Sequence, residues 1–139
     1  MAIRIYNNEI KVPVFERRKM KVCMKELVEK EGKKLGGINY IFVSDEDLLE
    51  INKKFLDHDF YTDVISFDYS HDGIVEGEIY MSIDRIIENA QKMKIACSEE
   101  IYRICVHGLL HLLSYSDGNS DEKEEMTRKE NEFLENWKN

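Results

Sequence analysis

Apolar and polar positions along this chain predict an alternation of strands and helices. Apolar residues alternate with polar ones over 3–7, as in a short strand, and recur at helical spacing over 16–35. A buried strand is predicted over 36–44, and a serine followed by an acidic turn predicts a capped helix over 44–55. A polar connection over 56–62 comes next.

The second half of the chain begins with a predicted β-hairpin and continues as helices. Two β-rich runs, 63–69 and 76–82, are separated by a short segment with Gly73 at its turn. Ser82 can cap the helix that follows, and Ser98 likewise precedes the next helix. The order of elements, ending in a charged helix near the C-terminus, is β-α-β-α-β-β-α-α-α. This order argues for a single α+β or α/β sandwich.

The helix predicted after Ser98, EEIYRICVHGLLHLL, is apolar on nearly every face. A helix that is apolar all round is buried at the centre of its domain. The polar stretch SYSDGNS ends it before the charged helix over 121–138. We therefore expect the apolar helix to be the central element of the fold.

The composition of the chain limits the number of domains and the class of protein. A chain of 139 residues that is 42% hydrophobic fits one compact domain, which buries about two-thirds of its unfolded surface. No apolar run reaches membrane-spanning length and the N-terminal residues resemble no signal peptide, so a cytoplasmic protein is expected. Cys23, Cys97 and Cys105 form no C-x-x-C motif and are interpreted as reduced core residues.

The net charge of −8 is unevenly distributed. Residues 1–34 carry ten basic against five acidic side chains, whereas the rest of the chain carries ten against 23. Because local fields rather than the total steer a polyanion, the overall charge does not exclude RNA. Arg18, Lys21 and Lys25 share the polar face of the first helix, which is either an ordinary solvated face or an RNA-facing patch.

The stretch 107-HGLLHLLSYSD-117 carries the candidate chemistry. His107 and His111 lie four residues apart, so both rings occupy one side of the helix and can bind one metal ion. After the helix breaks, Asp117 could return to complete a set of two imidazoles and one carboxylate, with a position left open for water or substrate. The alternative is a pair of core histidines bonded to backbone or buried carboxylates.

The spacing imitates that of zinc proteases but lacks one of their groups. In H-E-x-x-H the glutamate after the first histidine is the general base, and that position is Gly108 here. Peptide hydrolysis is therefore disfavoured. A metal that acidifies water and neutralises a phosphoryl oxygen could still cleave a phosphodiester without a dedicated carboxylate.

Three segments together resemble the YbeY family of bacterial rRNA maturation endoribonucleases. HGLLHLLSYSD…EEMTRKE is similar to the family's H-G-x-L-H-L-x-G-Y-D-H and the acidic helix after it. INKKF…YTDVISFDY resembles L-N-x-x-Y-R-x-x-x-x-x-T-D-V-L-S-F-P, and GEIYMSIDRIIENA resembles the segment containing G-D-I-x-I-S. These matches cover most of residues 48–130 in the expected order.

The resemblance implies a single α+β domain over 1–139, a helix/sheet sandwich with a small mixed sheet and a central buried helix that bears the metal. It implies one divalent ion, Zn²⁺ before Fe²⁺ or Mn²⁺, held by the catalytic and metal-binding residues His107, His111 and Asp117. The implied activity is metal-dependent cleavage of single-stranded RNA. Its implied role is 3′-end maturation of 16S rRNA and ribosome quality control, with ribosomal RNA and the small ribosomal subunit as partners in the cytoplasm.

The chain departs from the family pattern at one of the expected metal-binding positions and at three other motif positions. Asp117 stands where the family has its third histidine, and two histidines with one carboxylate also suit Fe(II). Ser114 and Ser116 replace the family's Gly and Asp. Leu56 stands where the family has an arginine thought to contact substrate, and leucine cannot bind phosphate.

Several residues are candidates for contacts with RNA or for shaping the cleft. We expect His58 to replace the missing cation in part; Lys53, Lys54 and Arg103 are the other candidates. The matching T-D-V motif makes Thr62, Asp63 and Ser66 candidates for shaping the cleft, or alternatively a strand entry with a polar turn. Two rival functions stay open: a non-catalytic ribosome-assembly factor with a structural metal, and a metalloprotease.

Overall fold

The computed structural model describes residues 2–58 and 61–138. Residues 1, 59, 60 and 139 lie outside this range, and two of them belong to the predicted connection over 56–62. The described residues form four strands and five helices in the predicted order. The elements are β1 (Ile3–Tyr6), α1 (Arg17–Lys30), β2 (Lys34–Val43), α2 (Asp45–Leu56), β3 (Val64–Asp68), β4 (Ile74–Ser82), α3 (Ile83–Met93), α4 (Cys97–Leu112) and α5 (Ser120–Lys138).

The strands form one mixed sheet in the order β1-β2-β4-β3. β2 pairs in parallel with both β1 and β4, whereas β3 and β4 form an antiparallel hairpin. Asp72 and Gly73 have φ angles of 49° and 76° at its turn. Two consecutive residues with positive φ match the twist of a two-residue hairpin turn, so the predicted hairpin with Gly73 is confirmed. The predicted α+β class and mixed sheet are also confirmed.

The two faces of the sheet are covered to different extents. One face, with Ile38, Tyr40 and Ile79 fully buried, contributes to the large core that also contains apolar residues of α1, α3, α4 and α5. The opposite face contributes to a small cluster with α2, centred on Leu48 and Ile65. This division follows from the alternation of side chains along each strand.

Helix α4 lies at the centre of the large core, as its sequence predicts. Ten of its sixteen residues are buried, and it packs on β3, β4, α3 and α5. Burial of nearly every face removes most of its surface from water, which is the main driving force that holds the helix in place. The Ser44 and Ser82 side chains accept hydrogen bonds from backbone N–H groups at the starts of α2 and α3, which confirms both predicted caps.

Some element boundaries differ from the sequence prediction. α1 ends at Lys30 because Gly32, with a φ of 78°, reverses the chain and lets Lys33 N–H donate to Val28 O. β2 therefore begins at Lys34. α4 begins at Cys97 after Ala96, so Ser98 lies inside the helix rather than at its cap.

Within residues 2–58 and 61–138, no helix is both long enough and apolar enough to cross a membrane.

Candidate metal centre

Helix α4 brings His107 and His111 together on one side, one turn apart. Their Nε2 atoms are 3.2 Å from each other. The side chains are 23% and 31% exposed, so both rings sit at the edge of the core rather than inside it. A helix that is buried along its length fixes both Cα positions, and the ring pair therefore depends on the packing of the whole core.

A left-handed turn after α4 brings Asp117 back towards the histidines. Ser114 has a φ of 74°, and Tyr115 N–H donates to Leu110 O, as in a Schellman ending. Tyr115 then anchors the loop by donating its hydroxyl hydrogen to Glu31. Asn119 accepts a hydrogen bond from Glu122 N–H at the start of α5. The loop that carries Asp117 is thus tied down on both sides.

The three side chains form a group that could hold a metal ion. Asp117 Oδ2 lies 3.6 Å from His107 Nε2 and 3.7 Å from His111 Nε2. Ligand atoms bound at about 2.0–2.2 Å to a tetrahedral ion lie about 3.3–3.6 Å apart. Two imidazole nitrogens and a carboxylate oxygen with this spacing suit one small divalent ion, and they leave coordination positions open.

Glu130 of α5 contacts the far side of the His107 ring. His107 Nδ1 and Glu130 Oε2 are 2.6 Å apart. Burial lowers the pKa of His107, but the hydrogen bond and charge of Glu130, with Asp63 and Asp117, outweigh burial and raise it above its ordinary value. The ring is therefore held between carboxylates at both nitrogens.

The pKa of His111 shifts in the opposite direction. Burial and the neighbouring His107 lower it, and the charge of Asp117 compensates only in part. The two imidazoles thus differ in proton affinity although they belong to the same helix and face the same carboxylate. A metal ion needs the Nε2 atoms of both rings in their deprotonated form.

Two open clefts meet at the metal group. The first, of about 530 Å³, is lined by Leu56, His58, Thr62, Asp63 and Ser66 together with the three metal-binding candidates. The second, of about 470 Å³, shares Asp63, His107 and Asp117 with the first. It extends between α3 and α4 past Asn89, Glu100 and Arg103. The metal group therefore lies at the junction of a continuous, open depression.

The structure brings most of the predicted site residues to this depression. Thr62, Asp63, Ser66 and His58 line the first cleft, and Ser66 Oγ donates to Gly108 O of the metal-bearing helix at 3.2 Å. Arg103 lines the second cleft, where its guanidinium faces Glu130 and Glu100 at 3.7 and 3.5 Å. No side chain among these residues is shown to bind RNA, so their predicted roles stay predictions.

The basic face of α1 lies elsewhere. Arg18, Lys21 and Lys25 are exposed, and none of them lines either cleft. Lys25 pairs with Glu29 at 3.9 Å. Their predicted contact with an RNA backbone would therefore require a strand that reaches beyond the two clefts.

Sequence reasoning did not identify Glu130, although the pattern contained a signal for it. Met126, Phe133, Leu134 and Trp137 are buried apolar residues of α5, and Glu130, also buried, falls on the same helical stripe. A carboxylate on an apolar stripe is unusual unless it has a partner inside the fold. Only the fold shows that the partner is His107, which lies 23 residues earlier.

Comparison with known proteins places the chain in a family. The family model for endoribonuclease YbeY matches residues 3–138. The chain belongs to the YbeY family. It is 39% identical to the endoribonuclease YbeY of Parabacteroides distasonis, over 96% of this chain and 94% of that protein. It is 42% identical to that of Flavobacterium psychrophilum, over 93% and 92%.

A solved structure shares the YbeY-type fold found here. The solution structure of a Thermotoga maritima protein is 30% identical to this chain and superimposes with a TM-score of 0.67. The match covers 97% of this chain and 88% of that one. The likeness extends over the sheet and all five helices rather than one motif.

Gly108 has a packing role in this YbeY-family chain. A Cβ atom at this position would lie 2.7 Å from Ile79 Cγ2 and 3.2 Å from Ser66 Oγ. The helix therefore approaches the sheet too closely for any side chain at the position where zinc proteases of the H-E-x-x-H type carry their general base. The structure gives a steric reason for the missing glutamate.

Proposed function

We propose that this chain is a metal-dependent endoribonuclease specific for single-stranded RNA, which acts in 16S rRNA 3′-end maturation and ribosome quality control. The observation that carries the proposal is the group formed by His107, His111 and Asp117 at the junction of two open clefts. Membership of the YbeY family supports the substrate class, since its relatives are endoribonucleases by name.

The donor set fits one divalent ion, with Zn²⁺ preferred and Fe²⁺ or Mn²⁺ as alternatives. Two imidazoles favour zinc, and their combination with one carboxylate is also the donor set of many Fe(II) sites. When bound, the ion would supply positive charge at a phosphodiester oxygen and would lower the pKa of water. His107, His111 and Asp117 would hold it, and Asp63 would add negative charge at the junction of the clefts.

The open depression offers room for a single strand. A single strand can lay successive nucleotides in the two clefts and expose one phosphate at the metal group between them. Ser66 and Thr62 offer hydroxyl groups in the first cleft for sugar or phosphate oxygens. Ribosomal RNA and the small ribosomal subunit are the partners that this proposal names.

His58 is the proposed substitute for the cation that Leu56 does not supply. Both residues line the first cleft, and Leu56 at 39% exposure presents only an apolar surface there. We expect His58→Ala to weaken RNA affinity and cleavage. Unchanged values for both would contradict this assignment. The same measurements on His71→Ala, at an exposed histidine that lines neither cleft, are the control.

The decisive experiment loads chelator-stripped protein with Zn²⁺, Mn²⁺ or Fe²⁺ and mixes it with end-labelled RNA that spans a 16S rRNA 3′ end. Asp117→Ala is run in parallel, with Asp121→Ala as a control at an exposed aspartate of α5. We expect cuts that need the metal, persist in Asp121→Ala and vanish in Asp117→Ala. Cuts that persist in Asp117→Ala would contradict the ligand assignment. RNA binding without product from folded, metal-loaded protein would contradict the nuclease and favour an assembly factor.

A further inference from the structure

Glu130 holds His107 from the side opposite the metal group. The bond from His107 Nδ1 to Glu130 Oε2 measures 2.6 Å, whereas His107 Nε2 faces His111 and Asp117. We propose that Glu130 is a positioning residue for the metal site. It fixes the orientation and tautomer of His107, and it makes the lone pair of His107 Nε2 a stronger ligand for a metal ion. This inference rests on the proposed metal-dependent function.

The two nitrogens of an imidazole ring act together. A carboxylate that accepts the Nδ1 hydrogen leaves the Nε2 lone pair free for a metal and raises its basicity. It also prevents rotation of the ring about its bond to Cβ. His107 is 23% exposed, so the core alone does not restrict its ring completely. Glu130 supplies the missing restraint from a second helix.

Two partners contact the buried carboxyl group of Glu130. Its side chain is 10% exposed, and a carboxylate at that depth requires partners that compensate for lost hydration. Oε2 contacts His107, and Oε1 faces Arg103 Nη1 at 3.7 Å. Arg103 therefore compensates the negative charge of Glu130, whereas the shorter contact of Glu130 is the one with His107.

A purely structural explanation competes with this role. Glu130 could serve only to neutralise Arg103, which also faces Glu100 at 3.5 Å. The two explanations differ in what they predict for metal binding. Loss of a structural ion pair would lower the stability of the metal-free protein, whereas loss of a positioning contact would lower metal affinity beyond any change in stability.

The test measures Zn²⁺ affinity by competition with a chromophoric chelator, with no RNA present. Glu130→Gln keeps the shape of the side chain and removes its charge. We expect its affinity to fall by about 10–100-fold, the range found for residues that support metal ligands. Glu132→Gln is the matched control, because Glu132 lies on the same helix but pairs with Lys30 at 3.2 Å. The Zn²⁺ affinity of Glu132→Gln should stay within about twofold of that of the unchanged protein, as for a substitution away from the site.

Two further measurements distinguish an effect on the position of His107 from an effect on protein stability. Thermal unfolding of the metal-free variants reports the structural contribution of Glu130. The visible absorption spectrum of Co²⁺-loaded protein reports ligand geometry, and we expect it to change in Glu130→Gln but not in Glu132→Gln. If Glu130→Gln does not fold, Glu130→Asp retains the charge opposite Arg103 but shortens the reach to His107, and the same loss of affinity is expected.

Equal Zn²⁺ affinity in Glu130→Gln and the unchanged protein would overturn the proposal. A loss of affinity fully explained by unfolding of the metal-free variant, with an unchanged Co²⁺ spectrum, would also overturn it in favour of the structural explanation. Neither result would bear on RNA cleavage, which is measured separately with the unchanged protein. Failure of the positioning role and failure of the proposed nuclease are thus distinguishable.

Discussion

The candidate metal group is built from two regions that position their side chains in different ways. His107 and His111 belong to α4, which is buried in the core along most of its length. Asp117, with 46% of its side chain exposed, belongs to a short loop held by Tyr115 and Asn119. The helix places its two histidines through packing of the whole domain, whereas the loop places its aspartate through a few local bonds.

The two regions should therefore tolerate substitution to different extents. Substitutions in α4 should change both the stability of the core and the geometry of the metal group, because α4 forms part of each. Substitutions in the loop affect the metal group with little cost to the fold.

Removal of a helix ligand should abolish useful metal binding. Loss of a supporting residue costs about 10–100-fold in affinity, so loss of the ligand His111 should cost at least about 100-fold. His111→Ala would be measured by calorimetry with Zn²⁺. His71→Ala is the control, since His71 is exposed on the hairpin and pairs with Glu76. An unaltered affinity in His111→Ala would place the metal elsewhere.

The buried carboxyl of Glu100 on α4 gives the stability of the fold a pH dependence. Burial raises its pKa from 4.5 to about 7, against the opposing effects of Asn89 and Arg103, with Asp63 and Glu130 also raising it. The folded state thus retains a proton that the unfolded state releases between these values, so stability falls as the pH rises from about 4.5 to 7. Glu100→Gln should remove this fall.

The expected gain in Glu100→Gln at pH 8 is on the order of 2–3 kcal/mol, with little change at pH 4. Urea unfolding at both pH values measures it. Glu99→Gln, at a half-buried carboxylate of the same helical turn, should leave the pH dependence intact. A pH profile identical in Glu100→Gln and the unchanged protein would show that Glu100 does not carry it.

Glycines in the two regions should respond differently to an added methyl group. Gly108→Ala introduces a Cβ within 2.7 Å of Ile79 and should cost about 1–3 kcal/mol. In the loop, a Cβ at Gly118 meets nothing closer than 3.4 Å, and Gly118→Ala should stay within about 0.5 kcal/mol. Denaturant unfolding of both variants measures the difference. Equal losses would contradict the contrast between helix and loop.

The loop ligand should be exchangeable. Asp117→Asn replaces a charged oxygen by a neutral one and should weaken Zn²⁺ binding on the order of tenfold. Asp117→His supplies a third imidazole and should bind Zn²⁺ at least as tightly as the unchanged protein. Competition titrations of both variants measure the order of affinities. If neither variant changes the affinity, Asp117 is not a ligand.

A smaller effect is expected where the loop leaves the helix. Ser114 adopts a left-handed conformation that costs a residue with a Cβ more than it costs glycine. Ser114→Gly should therefore stabilise the protein by about 0.5–1 kcal/mol. Thermal unfolding measures it, with Ser116→Gly as the control at a position without this conformation. A loss of stability in Ser114→Gly would contradict the explanation.

Local patterns in the sequence predict the elements and the pair of candidate metal-binding histidines. Periodic apolar positions, the serine caps at Ser44 and Ser82, and the turn at Gly73 act over a few residues, so they can be recognised before the chain is folded. The same holds for His107 and His111, because an i, i+4 spacing on a helix implies one shared side. The buried position of α4 followed from its lack of a polar face.

The tertiary structure decided everything that depends on distant residues. The strand order β1-β2-β4-β3, the junction of two clefts at Asp117 and the contact of Glu130 with His107 all join segments far apart in the chain. The contact of Arg103 with Glu130, a second carboxylate beside Glu100, also depends on the tertiary structure. These contacts depend on how apolar faces stack in three dimensions, which no local pattern of residues encodes.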